Sequence, residues 1–343
     1  MKKVCVIGHF GFGKEMLNGQ TIKTKIITAE LEKQLGGEQI MKVDTHGGAR
    51  ALPRVMIQMA EGFRSCENII ILPAQNGVRV FVPLCVAFHK LYQRKLHYVV
   101  IGGWLGNLLE ANPGILRALD SFTGIYVETR TMKHDLEKRG LRNLYILPNF
   151  KDIHVLTEDE LVYPTGEPYR LCTFSRVMKE KGIEDAVDAV KAVNEKYGRI
   201  VYTLDIYGQV DTEQIKWFED LKESFPDYVR YKGLVPFYKT VERLKDYYAL
   251  LFPTYYSGEG FAGTLLDAMS AGVPVIASDW KYNSEVVVQN ETGILVTPKN
   301  VTALTWALES TLSGNLNEMK RTCINEAQKY APNAVVQVIL ERL

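Results

Sequence analysis

Cysteine is scarce in this chain: five residues in 343 (Cys5, Cys66, Cys85, Cys172 and Cys323), an odd count with no C-x-x-C pair. That excludes a disulfide framework and a thiolate zinc site as organising features, and it predicts buried free thiols in a reducing compartment. A dominant charge sign is lacking as well. Lysine plus arginine number 41 against 40 aspartate plus glutamate, a net charge of +1, so no global field favours nucleic acid as a partner. The six histidines fall nowhere at metal-ligand spacing, and no D-x-D occurs. Long apolar runs are missing too. "MKKVCVIGHF" starts basic, but its apolar stretch is too short for a signal peptide. "VRVFVPLCVAF", the most apolar later stretch, is interrupted by Arg79 and Pro83 and falls short of a bilayer span. The expectation is a cytoplasmic protein, with room for a peripheral contact on the inner face of the membrane.

What is present is a globular composition, 46% apolar and 24% charged, in a chain long enough for two domains. The spacing predicts strands at 4–7, 40–43, 68–72, 98–101, 124–127 and 144–147, with amphipathic segments such as 20–35 and 131–139 between them. A polar, proline-containing stretch from "ILPNFKDI" to Pro168 interrupts the series. Alternation then resumes, with strands at 170–174, 201–206, 229–232, 249–252, 273–277 and 293–296; Pro274 is tolerable near a strand start. A helix at 183–193 is well marked, since Ile183, Ala186, Val187, Val190 and Val193 form one stripe. Near-continuous apolar strands alternating with helices predict parallel sheets covered on both faces. The chain thus reads as α/β: two doubly wound halves joined near residue 150, without a tandem repeat. Ligands of such sheets bind at the carboxyl ends of the strands, which implies a cleft between the halves.

Three stretches carry chemistry. In "GHFGFGKE", after the first strand, Gly8, Gly13 and Lys14 fit G-x-x-x-x-G-K, the phosphate-cradling loop of nucleotide hydrolases. The next residue should be Ser or Thr to hold magnesium, yet it is Glu15, and "VYTLD", ending at Asp205, is a poor magnesium-binding strand in the other half. In "FSRVMKEKG", Arg176 and Lys181 stand five apart across a turn that opens a helix, where the helix dipole and free amides favour an anion. A solvated basic turn is the equal alternative there. In "YYSGEGFAGTLLDAMSAGVPVIASDW", Gly258, Gly260 and Gly263 surround Glu259, and a helix at 264–270 follows. Such a turn lets the backbone approach a ligand. Glu259 and Asp267, eight apart, would then reach one ligand at different depths, and carboxylates suit sugar hydroxyls; the alternatives are a helix-start charge for Glu259 and a solvated helix residue for Asp267.

The last stretch resembles the E-x7-E signature of retaining family 4 glycosyltransferases, and "FSRVMKEKG" is similar to their R-x4-K phosphate motif. "LDIYGQV", "VRYKGLVP", "LLFPTYYSGEGF", "AGVPVIASDW" and "ETGILV" follow in the family's order. The resemblance is specific over the C-terminal half and looser before it. It implies the GT-B architecture: an acceptor-binding domain at 1–150, a donor-binding domain at 151–331, and a final helix crossing back at about 332–343, for which "NAVVQVILERL" is the candidate. It further implies that Arg176 and Lys181 bind the donor diphosphate and that Glu259 contacts the transferred sugar. Phe261, Ala262 and Gly263 would present amides to sugar and phosphate, and Asp267 takes the place of a glutamate at the ribose, one methylene shorter. Leu234 and Val235 occupy the place where backbone reads the base, with Tyr207 and Gly208 lining the same pocket.

The implied function is retaining transfer of a sugar from a nucleoside-diphosphate sugar, UDP-sugars favoured and GDP-mannose behind. The acceptor would be glycan, lipid-linked or protein, in bacterial polysaccharide or glycoconjugate assembly. The nucleotide sugar is a co-substrate, and neither cofactor nor metal is expected, because cationic side chains and helix ends stabilise the departing diphosphate. Attack from the front face is favoured over a covalent role for Glu259. In the first half, "LNGQTIKTK" resembles the family's first-loop turn, which nominates Gly19 and Gln20 for the donor and, more weakly, Thr21. Phe10 in the first loop and Trp104 after "VVIGG" are the acceptor candidates, Trp104 as a ring that stacks on a sugar, though the core is the favoured place for it. Between Arg50 and His97, seven basic residues against Glu61 and Glu67 suit an anionic membrane or lipid-diphosphate acceptor, with an ordinary solvated face as the equal alternative. A nucleotide-sugar-binding protein without activity and a phosphate-loop kinase or NTPase are the alternatives.

Overall fold

The computed structural model describes residues 1–13, 19–313 and 315–343. The chain forms two compact units, Met1–Asp152 with Tyr330–Leu343, and Ile153–Lys329.

The first unit is built on six strands: β1 (Lys2–Gly8), β2 (Ile40–Asp44), β3 (Cys66–Ile71), β4 (Lys95–Val99), β5 (Gly124–Val127) and β6 (Leu144–Ile146). They lie in the order β2-β1-β3-β4-β5-β6 and every pairing is parallel. The order reverses at β1, so the carboxyl ends of β1 and β3 flank the switch point. β4 begins three residues earlier than the apolar pattern predicts, because Lys95, Leu96 and His97 pair with Asn68, Ile69 and Ile70. The buried His97 bridges Tyr126 and Asn68, at 2.9 and 3.2 Å, which lets a polar residue sit inside a central strand. The last helix, Pro332–Leu340, returns to this unit and packs Val335, Val336 and Ile339 against Val4, Ile27 and Leu31. Burial of those three side chains contributes about 2 kcal/mol each to holding it there.

The second unit repeats the plan with β7 (Tyr169–Phe174), β8 (Tyr202–Tyr207), β9 (Val229–Gly233), β10 (Ala249–Phe252), β11 (Val275–Ser278) and β12 (Gly293–Val296). Their order, β12-β11-β10-β7-β8-β9, places the switch point between β7 and β10, and all pairings are again parallel. β11 starts after Pro274 rather than at residue 273. Proline offers no N–H to the ladder, and its carbonyl instead accepts from Leu250 at 3.0 Å. The helix Ile183–Tyr197 buries its predicted stripe against the sheet and ends where Gly198 takes a left-handed conformation, φ 63°. All five cysteines are buried free thiols.

Candidate functional site

Phe174 and Phe252 end the two strands that flank the second unit's switch point, and a cavity of about 240 Å³ opens there. Arg176, Lys181, Glu259, Ala262 and Gly263, all singled out in sequence, line it together with Ser175, Met178, Tyr256 and Thr264. Two glycines bring the turns close enough. Gly208 has φ 137°, and a Cβ there would stand 1.7 Å from the Ser175 carbonyl oxygen; at Gly182, with φ 69°, it would stand 2.2 Å from that of Pro253.

The centre of the cavity is an ion pair. Lys181 Nζ lies 2.6 Å from Glu259 Oε2, and the two side chains are only 12% and 8% exposed. The fully buried Thr254 donates its hydroxyl to the same Oε2 at 2.9 Å, and the rings of Phe252 and Tyr256 flank the ammonium at 5.3 and 5.2 Å. Arg176 is different: its side chain is 61% exposed and reaches Asp211 at 3.4 Å, leaving the guanidinium mobile enough to meet an incoming anion. With two cations and one carboxylate the wall carries a formal excess of one positive charge. The helix Gly263–Ser270 begins at the same wall, its N-cap Ala262 supplying no side-chain cap, so its first amides face the cavity's edge. Thr264 Oγ1 is buried and has no hydrogen-bond partner among the described residues. Thr264 was not picked out in sequence, and a hydroxyl whose lack of a partner appears only in three dimensions leaves no signal there.

Other predicted residues lie outside this wall. Asp267 is 2% exposed and accepts the Thr240 hydroxyl at 3.1 Å, so its carboxylate is turned to a neighbouring helix rather than toward Glu259. Tyr207 is 5% exposed and its hydroxyl meets that of Tyr247 at 2.9 Å, which turns it onto the sheet. Gly208 follows it, with its N–H donating to the Gly233 carbonyl. Leu234 is 70% exposed and Val235 half-buried on the loop after β9, and Phe261 is buried.

In the first unit the "GHFGFGKE" loop is held by the chain's own carboxylate. Asp44 accepts from the amides of Phe10, Gly11 and His46 through Oδ1 at 2.9, 3.2 and 2.9 Å, and from Phe12 through Oδ2 at 3.1 Å. Burial pushes the carboxyl up, but the four amides outweigh it and hold it below its ordinary range. Three of the loop's amides, those of Phe10, Gly11 and Phe12, are therefore taken up by the carboxylate and are not offered to a phosphate. Lys14 and Glu15 lie outside the described residues. Phe10 needs correction as an acceptor residue: its ring is 2% exposed and packed in the core against Phe12, 5.0 Å away. Trp104 is half-exposed rather than core, standing over Gly102 at the start of a short helix. Gly19 opens the first helix, Gln20 donates to the Leu72 carbonyl at 2.9 Å, and Thr21 is fully buried. Among the described residues no group of three His, Cys, Asp or Glu side chains is arranged to hold a metal ion.

Solved structures with the same architecture include HepE of Anabaena in complex with UDP and glucose, at a TM-score of 0.73 and 13% identity over 99% of each chain. The lipopolysaccharide outer core galactosyltransferase WaaB matches at 0.71 and 16%, over 99% of this chain and 98% of that one. The class is therefore GT-B, two Rossmann-like parallel-sheet units. Residues 162–330 match the family described as glycosyl transferases group 1. It is 30% identical over 238 residues to the GtfA subunit of a UDP-N-acetylglucosamine–peptide N-acetylglucosaminyltransferase of Streptococcus gordonii. That match covers 65% of this chain and 44% of the relative, so the chain spans less than half the length of that protein.

Proposed function

We propose that the protein transfers a sugar, with retention, from a UDP-sugar to a glycan, lipid-linked or protein acceptor in bacterial polysaccharide or glycoconjugate assembly. One observation carries the reading: at the switch point of the second sheet, Arg176, Lys181, Glu259, the start of the helix Gly263–Ser270 and the unpartnered Thr264 hydroxyl converge on one cavity. Phosphates bind where amides, cations and hydroxyls converge. Lys181 uses one N–H on Glu259 and has two more for diphosphate oxygens, while Arg176 supplies the movable second cation. Together they offset the charge that builds on the leaving diphosphate. Glu259 Oε2 is held by both Lys181 and Thr254, which lowers its nucleophilicity and favours sugar binding over covalent attack. Asp267 and the loop at Leu234 and Val235 are assigned to ribose and base, Tyr207 and Gly208 beside them; Gly19, Gln20 and Trp104 belong to the first unit's substrate surface.

Neither metal nor cofactor enters the proposed reaction. No helix among the described residues is long and apolar enough to cross a membrane. Peripheral membrane contact through the first unit belongs to the proposal, supported by Ile57 and Leu91, 72% and 73% exposed, beside Arg54, Arg64 and Lys90. Flotation with anionic but not neutral vesicles is the expected outcome. The experiment that tests the function is a thermal-shift screen of UDP, GDP, ADP and their sugars. UDP and one UDP-sugar raise the melting temperature, and the matching sugar donor is turned over. A screen in which no nucleotide shifts the transition overturns the reading.

A further inference from the structure

β1 and β2 bring together two histidines that stand 37 residues apart in the chain. His9 follows β1 directly and His46 lies two residues beyond β2. Their rings meet edge to face, centroids 5.1 Å apart, with His46 Nδ1 3.1 Å from His9 Nε2. His9 Nδ1 lies 2.7 Å from Oγ1 of the buried Thr21 in the helix Gly19–Leu35. The His46 main chain is pinned on both sides: its N–H donates to Asp44 Oδ1 at 2.9 Å, and Arg54 donates to its carbonyl at 3.2 Å. Both rings are half-buried.

This is a one-dimensional hydrogen-bond chain with two settings. The contact between the ring nitrogens holds a single proton, so the pair cannot carry two full charges and keep the bond. In one setting His46 Nδ1–H donates to His9, His9 Nδ1–H donates to Thr21, and His46 Nε2 is left with a bare lone pair. In the other the Thr21 hydroxyl donates and His46 Nε2 carries the hydrogen. Among the described residues the series ends at His46 Nε2, and His46 itself follows β2 at the carboxyl end of the sheet, where doubly wound units meet their ligands. The charged groups facing the pair are Asp44 after β2, Lys25 on the helix Gly19–Leu35 and Arg54 on the helix Leu52–Ser65. Burial first, then the charge of His46, and more weakly Lys25, hold His9 below its ordinary value; Asp44 acts in the opposite sense. A ring nitrogen with a lone pair accepts a hydrogen bond, which suits a hydroxyl.

We propose that His46 Nε2 is the docking point for a hydroxyl of the sugar acceptor, with His9 and Thr21 as positioning residues that set its tautomer. The inference rests on the glycosyl-transfer reading and adds to it the polar group that selects a hydroxylated acceptor. Binding involves no covalent step: the acceptor O–H donates to the bare nitrogen, and protonation of His46 removes that lone pair. A proton on that nitrogen therefore competes with the acceptor hydroxyl.

The test uses UDP-saturated full-length protein and imidazole nitrogen NMR between pH 5 and 8, with methyl glucoside and methyl N-acetylglucosaminide as probes. A probe shifts the His46 Nε2 resonance. His46→Ala weakens probe binding about fivefold, the equivalent of one lost hydrogen bond, while His46→Gln, whose amide oxygen accepts in its place, restores part of it. His9→Gln removes the ring that sets the His46 tautomer, and the probe-induced shift of His46 Nε2 shrinks. Protein that still shows the UDP thermal shift but whose His46 resonance moves with neither probe overturns the inference and leaves the donor assignment standing. Loss of the UDP shift in the wild type would count against the glycosyl-transfer reading instead.

Discussion

Replacement of Glu259 by alanine separates stability from chemistry at the donor cavity. In the unliganded protein the change removes the carboxylate that pairs with Lys181, at 2.6 Å, and strands an ammonium that is 12% exposed between two aromatic rings. Breaking a buried pair by removing one partner costs about 3 kcal/mol. For a unit the size of Ile153–Lys329 that lowers the melting temperature by about 6–12 °C. A bound diphosphate replaces the missing counter-charge, so the deficit shrinks when UDP is present. The rise in melting temperature caused by saturating UDP is then larger in Glu259→Ala than in the wild type, while sugar transfer is crippled. Differential scanning fluorimetry with and without UDP, followed by a UDP-release assay, reads both effects. An unliganded melting temperature equal to that of the wild type would refute the buried-pair argument. Disappearance of the UDP response would refute the placing of Glu259 at the sugar rather than at the nucleotide.

Lys181→Ala and Arg176→Ala abolish transfer, and near-normal turnover in either would remove the phosphate role. The two differ in stability: the exposed Arg176 change leaves the melting curve unmoved, whereas Lys181→Ala strands Glu259 and lowers it. Thr264→Val removes a hydroxyl with no partner among the described residues, so stability is kept or slightly raised, and UDP affinity falls about fivefold by calorimetry. Equal affinity would show that this hydroxyl does not meet the donor. The buried His97 sets an acid limit. Burial first, then the charge of Lys95, depress it from 6.5 to about 4, so the folded state holds it neutral. Its contribution is complete above pH 6.5, where both states are neutral, and is lost as pH falls toward 4, because the unfolded chain takes up the proton first. The loss is about 3 kcal/mol over that window. Urea titrations of the wild type and His97→Gln should diverge there, and parallel curves would dismiss His97 as the cause.

The sequence by itself determined the parallel α/β plan, because that signal is local. Apolar runs of strand length and helical stripes such as Ile183 to Val193 are set by neighbours a few residues apart, and each of the twelve expected strands has its counterpart in the two sheets. The glycine-rich turn, Arg176, Lys181 and Glu259 were legible for the same reason: each motif lies within one turn and its flanking helix. Only the tertiary structure decided what those residues face. Lys181 meets Glu259 across 78 residues, and whether Asp267 looks at Glu259 or at Thr240 depends on how two helices pack. Phe10 reads as a loop residue, yet the carboxylate of Asp44, 34 residues away, draws the loop amides inward and its ring joins the core. His9 and His46 carry no common motif; the hydrogen-bonded register of β1 on β2, with Gly8 opposite Asp44, is what makes them a pair.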